Sequence, residues 1–354
     1  MIANIIASFS ETAPIYFIFT FASFFIFWLL GARYFAYRRI QQPQKSTIAH
    51  IGHDLGFSMS TLVVFALLDA WVLYMESKGY TLIYYDIDKY GWAWLLLSGF
   101  LVLFIDDTFF YWMHRLIHQP RFYKQFHAVH HHSNDPNPFT SYSFSLKEAV
   151  IQNAIYCIVP FIMPIHPSIM VFWVFFGITN NVTLHSGFEA YPKWWLKIPF
   201  LRYKTVCTHH NMHHEHFNGN YALYFTWWDK WMGTELPNYE QHFISLHERN
   251  NQRQHNTGDN HTTIGHNITA HIKGKTYHFS SYGNQSILQS AIDQNIPIDY
   301  SCQSGICGKC KLKCAAGQVD TQLQTIIPKS EAEQGFILAC QSRVAGEKII
   351  LQKD

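Results

Sequence analysis

The chain has 354 residues, of which 48% are hydrophobic, 17% aromatic and only 14% charged. A formal net charge of +2 with no long basic run speaks against a nucleic-acid partner. The length suits two domains, and the hydrophobic residues are unevenly shared: the first two-thirds of the chain is membrane-like and the last third soluble.

In chain order, residues 14 to 32 are uncharged and long enough to span a bilayer, which takes about 20 residues. The amino terminus has neither a basic segment nor a small-residue cleavage site, so no signal peptide is expected. Arg33, Arg38, Arg39 and Lys45 follow the first span and place that end in the cytoplasm. Residues 55 to 75 form a second span with Asp69 as its one charge, and the acidic, tyrosine-bearing loop from Glu76 to Lys89 suits the outer face. Residues 92 to 113 return to a basic side at Arg115, Arg121 and Lys124. From Ala149 to Leu184 the chain is apolar again, broken by Pro160, Pro164 and Pro167, and is read as a hairpin or pair of spans turning near His166. About four crossings then leave the histidine-rich segments and the whole carboxy-terminal third in the cytoplasm.

The end of the third span carries His114 and His118 at i,i+4, which puts both imidazoles on one helix face. Pro120 breaks that helix, and a second can restart at Arg121 to carry His127, His130 and His131 on one face. His210, His213 and His214 repeat that spacing about eighty residues later. Neutral imidazole suits zinc, copper, iron and nickel, and one zinc takes three or four protein ligands. Eight imidazoles are therefore too many for one ion, and two metal ions are expected. Asp107 lies one heptad before His114 and so roughly on its face, as a carboxylate that could orient a ligand imidazole. Its neighbour Asp106 is as readily a wet interfacial residue. His209 and His132 flank the boxes in ambiguous register, and His210 is preferred because it completes the repeated spacing. His50, His53, His166 and His216 read as ordinary polar residues.

The pattern Asp107-xxx-Tyr111-Trp112-x-His114-Arg115-xx-His118, then His127-xx-His130-His131, then His210-xx-His213-His214, resembles the fatty acid hydroxylase/sterol desaturase superfamily. Asn220-Tyr221 and Trp228-Asp229-Lys230-xx-Gly233-Thr234 resemble its closing signature, so the likeness covers about residues 14 to 236. It implies an all-α polytopic membrane domain with a histidine-bound di-iron centre, two non-haem iron ions, that uses O2 as co-substrate. It also implies a further ligand between the second and third boxes, a place that His185 fits. Asn181, four residues earlier, stands where relatives can carry another histidine, and is expected to meet the metal through water or not at all.

Residues 237 to 265 are dominated by Asn, Gln, His, Thr and Gly, and are read as a linker. Beyond it, residues 268 to 272 and 275 to 279 alternate like a hairpin around Lys273-Gly274, and Ser286 to Gln294 has a helical pattern. Cys302, Cys307, Cys310 and Cys340 then have the plant-type [2Fe–2S] spacing of C-x4-C-x2-C and a distant fourth cysteine. Four of the seven cysteines in such a pattern suit a reducing compartment, while Cys157, Cys207 and Cys314 lie outside it. Residues 266 to 354 resemble a β-grasp ferredoxin domain, of α+β class. Lys309, Lys311 and Lys313 crowd the cluster loop, a departure from the acidic surface common among plant-type ferredoxins.

The expected organisation is thus a membrane hydroxylase or desaturase domain over residues 1 to 236, a linker over 237 to 265 and a 2Fe-2S domain over 266 to 354. A [2Fe–2S] cluster passes single electrons and so suits a relay to an O2-using di-iron site. No Rossmann fingerprint is present, so a separate NAD(P)H-dependent ferredoxin reductase is the expected electron source. The expected reaction is O2-dependent hydroxylation of a membrane lipid, fatty acyl or sterol-like. Desaturation at the same site is the alternative, and a non-catalytic membrane redox or metal sensor is a further one.

Overall fold

The computed structural model describes residues 2–31, 34–41, 46–256, 265–282, 285–300, 308–321 and 327–353. Arg33, Lys45, Cys302, Cys307 and residues 257–264 of the expected linker lie outside the described residues. The chain forms two compact units, Met1–Gln254 and His255–Asp354.

The first unit is helical. Among the described residues, four helices are long and apolar enough to cross a membrane: Ile2–Leu30, Ile48–Ser77, Gly91–Ile117 and Pro167–Leu184. The first comprises α1 (Ile2–Phe24) and a π-helical turn (Phe25–Leu30), and starts well before the expected residue 14. The polar start of that helix is accommodated by pairing inside the bundle. Ser8 is buried, and its Oγ donates to Asp69 Oδ2 at 3.2 Å across to α2 (Ile48–Ser77). Asn153 donates to the other oxygen of Asp69 at 3.1 Å, so the one charge of the second span is held by two helices rather than by lipid.

The third span, α3 (Gly91–Ile117), ends at His118, two residues before the proline that starts α4 (Pro120–Phe126). The expected hairpin is α5 (Leu146–Ile162), capped by Ser145, and α6 (Pro167–Leu184), entered through a proline at its first turn. Trp173 of α6, Val102 of α3 and Val159 of α5 meet in one buried cluster. After α6 come α7 (Cys207–His216), α8 (Trp227–Met232) and α9 (Tyr239–Asn256).

Two expectations are corrected here. His127, His130 and His131 do not share one continuous helix: α4 stops at Phe126, His127 caps it, and His130–His132 is a separate 3-10 turn. Much of the expected linker is the helix α9. Tyr239, Phe243 and Leu246 fall at i, i+4 and i+7, and all three are fully buried. Val206, Met212 and Cys207 lie beneath them. Three apolar anchors suffice to hold a helix whose other residues are polar.

The second unit is built on a five-stranded sheet of order β2-β1-β7-β3-β5. Its strands are β1 (His266–Ile272), β2 (Lys275–Ser281), β3 (Lys311–Ala316), β5 (Phe336–Leu338) and β7 (Lys348–Lys353). The strands β4 (Val319–Thr321) and β6 (Ser342–Val344) form a second, two-stranded sheet. The β1–β2 hairpin closes with Ile272 opposite Lys275, and Lys273 and Gly274 both have positive φ, as a two-residue hairpin turn requires. The parallel pairing of β1 with β7 brings the carboxy terminus into the sheet centre. The helix α10 (Ile287–Asp293), capped by Ser286, buries Ile287, Leu288 and Ala291 with Ile268, Leu312 and Leu351.

Candidate metal centre

Nine buried histidines gather in two groups: His114, His118, His127, His131 and His213 in one, and His130, His185, His210 and His214 in the other. Within each group the nitrogens available to a metal lie within 4.8 Å of one another. Each HxxHH triplet is divided between the groups rather than presented to one side. On α7, His210 and His214 point one way and His213 the other. The second box splits alike, with His127 and His131 in the first group and His130 in the second. Neighbouring residues differ by about 100° in direction on the helix α7 and by about 120° on the 3-10 turn, so each His-His pair reaches both groups.

Three helices end at this place. His114 lies in the last turn of α3, His118 caps it, His127 caps α4 and His185 caps α6. Helix carboxy termini carry partial negative charge, so their convergence favours a cation.

The outer nitrogens fix how the rings stand. His114 Nδ1 donates to the Tyr221 carbonyl at 2.9 Å, His213 Nδ1 to Gly219 O at 2.8 Å, and His185 Nδ1 to Asn181 O at 2.8 Å. His214 Nδ1 donates to Ser133 O at 3.1 Å, and His127 Nδ1 to the Glu148 carboxylate at 2.6 Å. Backbone carbonyls only accept, as does an ionised carboxylate, so the four rings on carbonyls, and His127 with Glu148 ionised, carry their proton on Nδ1 and turn a bare Nε2 lone pair inward. Yet His114 Nε2 lies 3.0 Å from His127 Nε2, and His185 Nε2 lies 3.2 Å from His214 Nε2. Two bare lone pairs at that distance repel, unless a cation sits between them. Nitrogens that share an ion at about 2.0–2.1 Å stand at about such separations. Burial, reinforced by neighbouring imidazoles, holds His127, His131, His130, His210 and His214 well below the usual histidine range, and burial alone lowers His185 to about 4. The donor set is therefore neutral, nitrogen-only and convergent, and it fits two transition-metal ions.

The closing segment of the first unit orients this set. Asp229 of α8 accepts from Tyr221 N and Ala222 N, both at 2.9 Å, and from Thr234 Oγ1 at 2.7 Å. Asn220 donates to His209 O at 2.8 Å and accepts from Leu236 N at 2.7 Å. Together they pin the turn whose Gly219 and Tyr221 carbonyls receive His213 and His114. Gly219 has φ +107, and a Cβ there would lie 2.7 Å from Thr234 O, so this turn takes no side chain. Glu189 holds the start of α7 by accepting from Thr208 N at 2.8 Å and Thr208 Oγ1 at 2.6 Å.

Asp107 differs from expectation. Asp107 Oδ1 accepts from Tyr224 N at 2.7 Å and Phe225 N at 3.3 Å, and it bonds to no imidazole among the described residues. Its carboxylate supports the loop before α8 and reaches the histidines only through the backbone. Asn181 meets His185 through its carbonyl, while its side chain donates to Ser141 O at 2.8 Å. Asp106 is buried, not wet, and accepts from Trp173 Nε1 and Tyr224 OH, both at 2.8 Å. His209 is buried outside both groups, 3.7 Å from Asp229, and His132 is exposed and stacked on His53. Sequence reading missed Glu148. A glutamate three residues after Ser145 reads as a helix-start acid, which it also is.

In the second unit, Cys310 at the start of β3 and Cys340 after β5 bring their sulfurs to 3.2 Å. The Cys340 hydrogen bond pulls the Cys310 thiol below the usual range, against the opposing effect of burial. Lys311 of the crowded lysines is paired with Glu331 at 3.0 Å.

Residues 99–234 match the family described as Fatty acid hydroxylase, and residues 270–345 that described as 2Fe-2S iron-sulfur cluster binding domain. The Delta(7)-sterol 5(6)-desaturase ERG3B of Gibberella zeae is 29% identical over 227 residues, covering 63% of this chain and 69% of that protein. Lathosterol oxidase of Homo sapiens is 31% identical over 184 residues, 51% of this chain and 59% of its own. Methylsterol monooxygenase 1 of Rattus norvegicus is 33% identical over 133 residues, 37% of this chain and 44% of its own. The chain thus spans between under half and about two thirds of these relatives. An oxidoreductase is the class that such a pair of domains defines. More particularly, the chain joins a membrane fatty acid hydroxylase domain with sterol desaturase homologues to a carboxy-terminal 2Fe-2S domain.

Proposed function

We propose that the protein is an O2-dependent oxidoreductase acting on a C–H bond of a membrane lipid, fatty acyl or sterol-like. Its histidines hold two iron ions, reduced through its own 2Fe-2S domain. The observation that carries this reading is the facing of bare, neutral imidazole nitrogens at 3.0 and 3.2 Å within two adjacent buried groups. Iron bound there supplies O2 activation and C–H oxidation, chemistry that belongs to the metal. The chain's own residues orient the rings through Tyr221, Gly219, Asn181, Ser133 and Glu148. Tyr123, Phe144, Phe217 and Tyr221 line the rings and exclude water.

Cys302, Cys307, Cys310 and Cys340 hold the [2Fe–2S] cluster in this reading, and a separate NAD(P)H-dependent ferredoxin reductase feeds it. The basic residues after the first and third spans support a cytoplasmic position for the histidines and the 2Fe-2S domain in this reading. The burial of Tyr239, Phe243 and Leu246 supports a membrane domain that includes the start of α9 and reaches beyond residue 236. Asp107 and Asn181 act as positioning residues, through the 224–225 loop and the His185 ring respectively.

Hydroxylation is the reading carried from the sequence. Desaturation has its own support, since the first of the named relatives is a sterol desaturase and the second a lathosterol oxidase. The purified chain in lipid vesicles, supplied with a ferredoxin reductase and NAD(P)H, tests both by O2 uptake and mass spectrometry of the lipids. A product one oxygen atom heavier means hydroxylation, and one short of two hydrogen atoms means desaturation. Oxidation of the reductant with unchanged lipid would overturn the proposal.

A further inference from the structure

Exposed apolar side chains recur along α3 at Trp92, Leu96, Phe100, Trp112 and Leu116, a ridge of i,i+4 steps and their multiples. From Trp92 to Trp112 the helix rises about 30 Å at 1.5 Å per residue, the thickness of a bilayer's hydrocarbon core. A tryptophan at each end of such a stretch is the arrangement of an aromatic belt, and it sets Trp112 at one lipid–water boundary.

The apolar surface does not stop at Trp112. Its ring lies 5.7 Å from that of Trp228, whose Nε1 donates to Thr108 Oγ1 at 3.1 Å, and Trp227 packs 5.8 Å from Phe104. The helix α8 therefore lies against the last turns of α3, beside the boundary. Trp231 stacks on Trp227 at 6.2 Å and is still 60% exposed. Thr226 N donates to Tyr203 O at 2.6 Å and Lys204 bridges Phe225, which joins α8 to the segment 194–203. That segment divides by direction. Trp195 and Leu196 pack inward on Val206 and Phe243. Trp194, Ile198 and Phe200 point outward, with Trp194 52% and Phe200 88% exposed. Lys193, Lys197 and Arg202 are interleaved with them, Lys193 paired with Glu248 at 2.9 Å and Arg202 with Glu240 at 3.1 Å. Large exposed aromatics alternating with cations lose free energy in water and gain it where chains and headgroups meet.

We propose that α8 and residues 194–203 form a collar seated in the headgroup region of the same bilayer that α3 crosses. Trp194, Ile198, Phe200 and Trp231 enter the upper acyl region, and Lys197 reaches the phosphates, while Lys193 and Arg202 stay paired with Glu248 and Glu240 at the rim. Continuity with the exposed ridge of α3 selects lipid as the occupant. The collar stands on the spans and not on the iron chemistry. Because α8 also carries Asp229, the element that rests on lipid is the one that pins the Tyr221 turn over the first histidine group.

The test places a photoreactive benzoylphenylalanine at Phe200 or Trp231 of the full chain in phosphatidylcholine vesicles, with Leu97, exposed in mid-α3, as reference. Phospholipid adducts at 200 and 231 with yields comparable to 97 are the expected result. A yield an order of magnitude below that at 97 would overturn it. Adducts to another protein in native membranes, replacing lipid adducts, would equally overturn it and mark the surface as a protein-docking face. As a second measurement, bimane on a Phe200→Cys variant should be quenched by lipids with a nitroxide near the headgroup more strongly than by a water-soluble nitroxide. The opposite order counts against the collar.

Discussion

Glu148 stands apart among the residues around the histidines. Of the outer nitrogens described here, only that of His127 rests on a carboxylate; those of His114, His185, His213 and His214 rest on carbonyls. A carboxylate makes the ring a stronger donor to a metal than a carbonyl does. Glu148→Gln keeps an acceptor oxygen and removes the charge. It should weaken metal retention about 10–100-fold, measured as iron remaining after dialysis against a chelator. Glu148→Leu strands the buried N–H of His127 and should cost more; equal retention in both variants would assign Glu148 a packing role alone. His213→Ala and His130→Ala remove one nitrogen from different groups. Each should lower bound iron and abolish lipid oxidation, with helical circular dichroism retained. Iron content unchanged in either would remove that residue from the ligand set.

At the level of elements, the turn 219–222 and the helix α8 act as one support. Asp229→Ala removes the acceptor for two backbone N–H groups and one hydroxyl, each unsatisfied donor costing roughly 1–3 kcal/mol. The expected outcome is a lowered thermal midpoint in detergent together with reduced iron content. A loss of stability with full iron would separate the fold from the site. The spacing of Asn220, Asp229 and Thr234 was legible as a signature, but its purpose was not. Backbone carbonyls carry no mark in a sequence, and those of Gly219 and Tyr221 are the groups that meet the imidazoles. The spans and both HxxHH boxes were legible because apolar length and histidine spacing are local properties. The helix α9 was not, because Tyr239, Phe243 and Leu246 are spaced at helical intervals among residues that read as polar. The division of each box was also hidden. Helical spacing says which side chains are neighbours, not which of two partners each will face.

For the whole molecule, the proposed function joined to the presence of fatty acid hydroxylase and 2Fe-2S regions on one chain makes two further outcomes expected. Cys307→Ser should abolish turnover driven by the reductase and leave iron in the histidine groups, with activity partly restored by a chemical reductant or an added ferredoxin. Normal turnover from that variant would deny the cluster an obligatory place. Replacing residues 257 to 264 by a Gly/Ser segment of equal length should leave turnover within about a factor of two, while deleting them should slow it, because a tether acts through effective concentration. Equal damage from both would mean that the sequence of that segment matters in itself. The sharing of each box between the two histidine groups has a consequence for how such a chain can diverge. Substitutions on the outer faces of α4 and α7 leave the allocation untouched, so composition there is free to drift. One residue inserted between His210 and His214 turns the rest of α7 by about 100°. It would turn each following imidazole away from its own histidine group. Length within the boxes is therefore far less negotiable than identity around them, and descendants of this chain can change their surfaces but not their count.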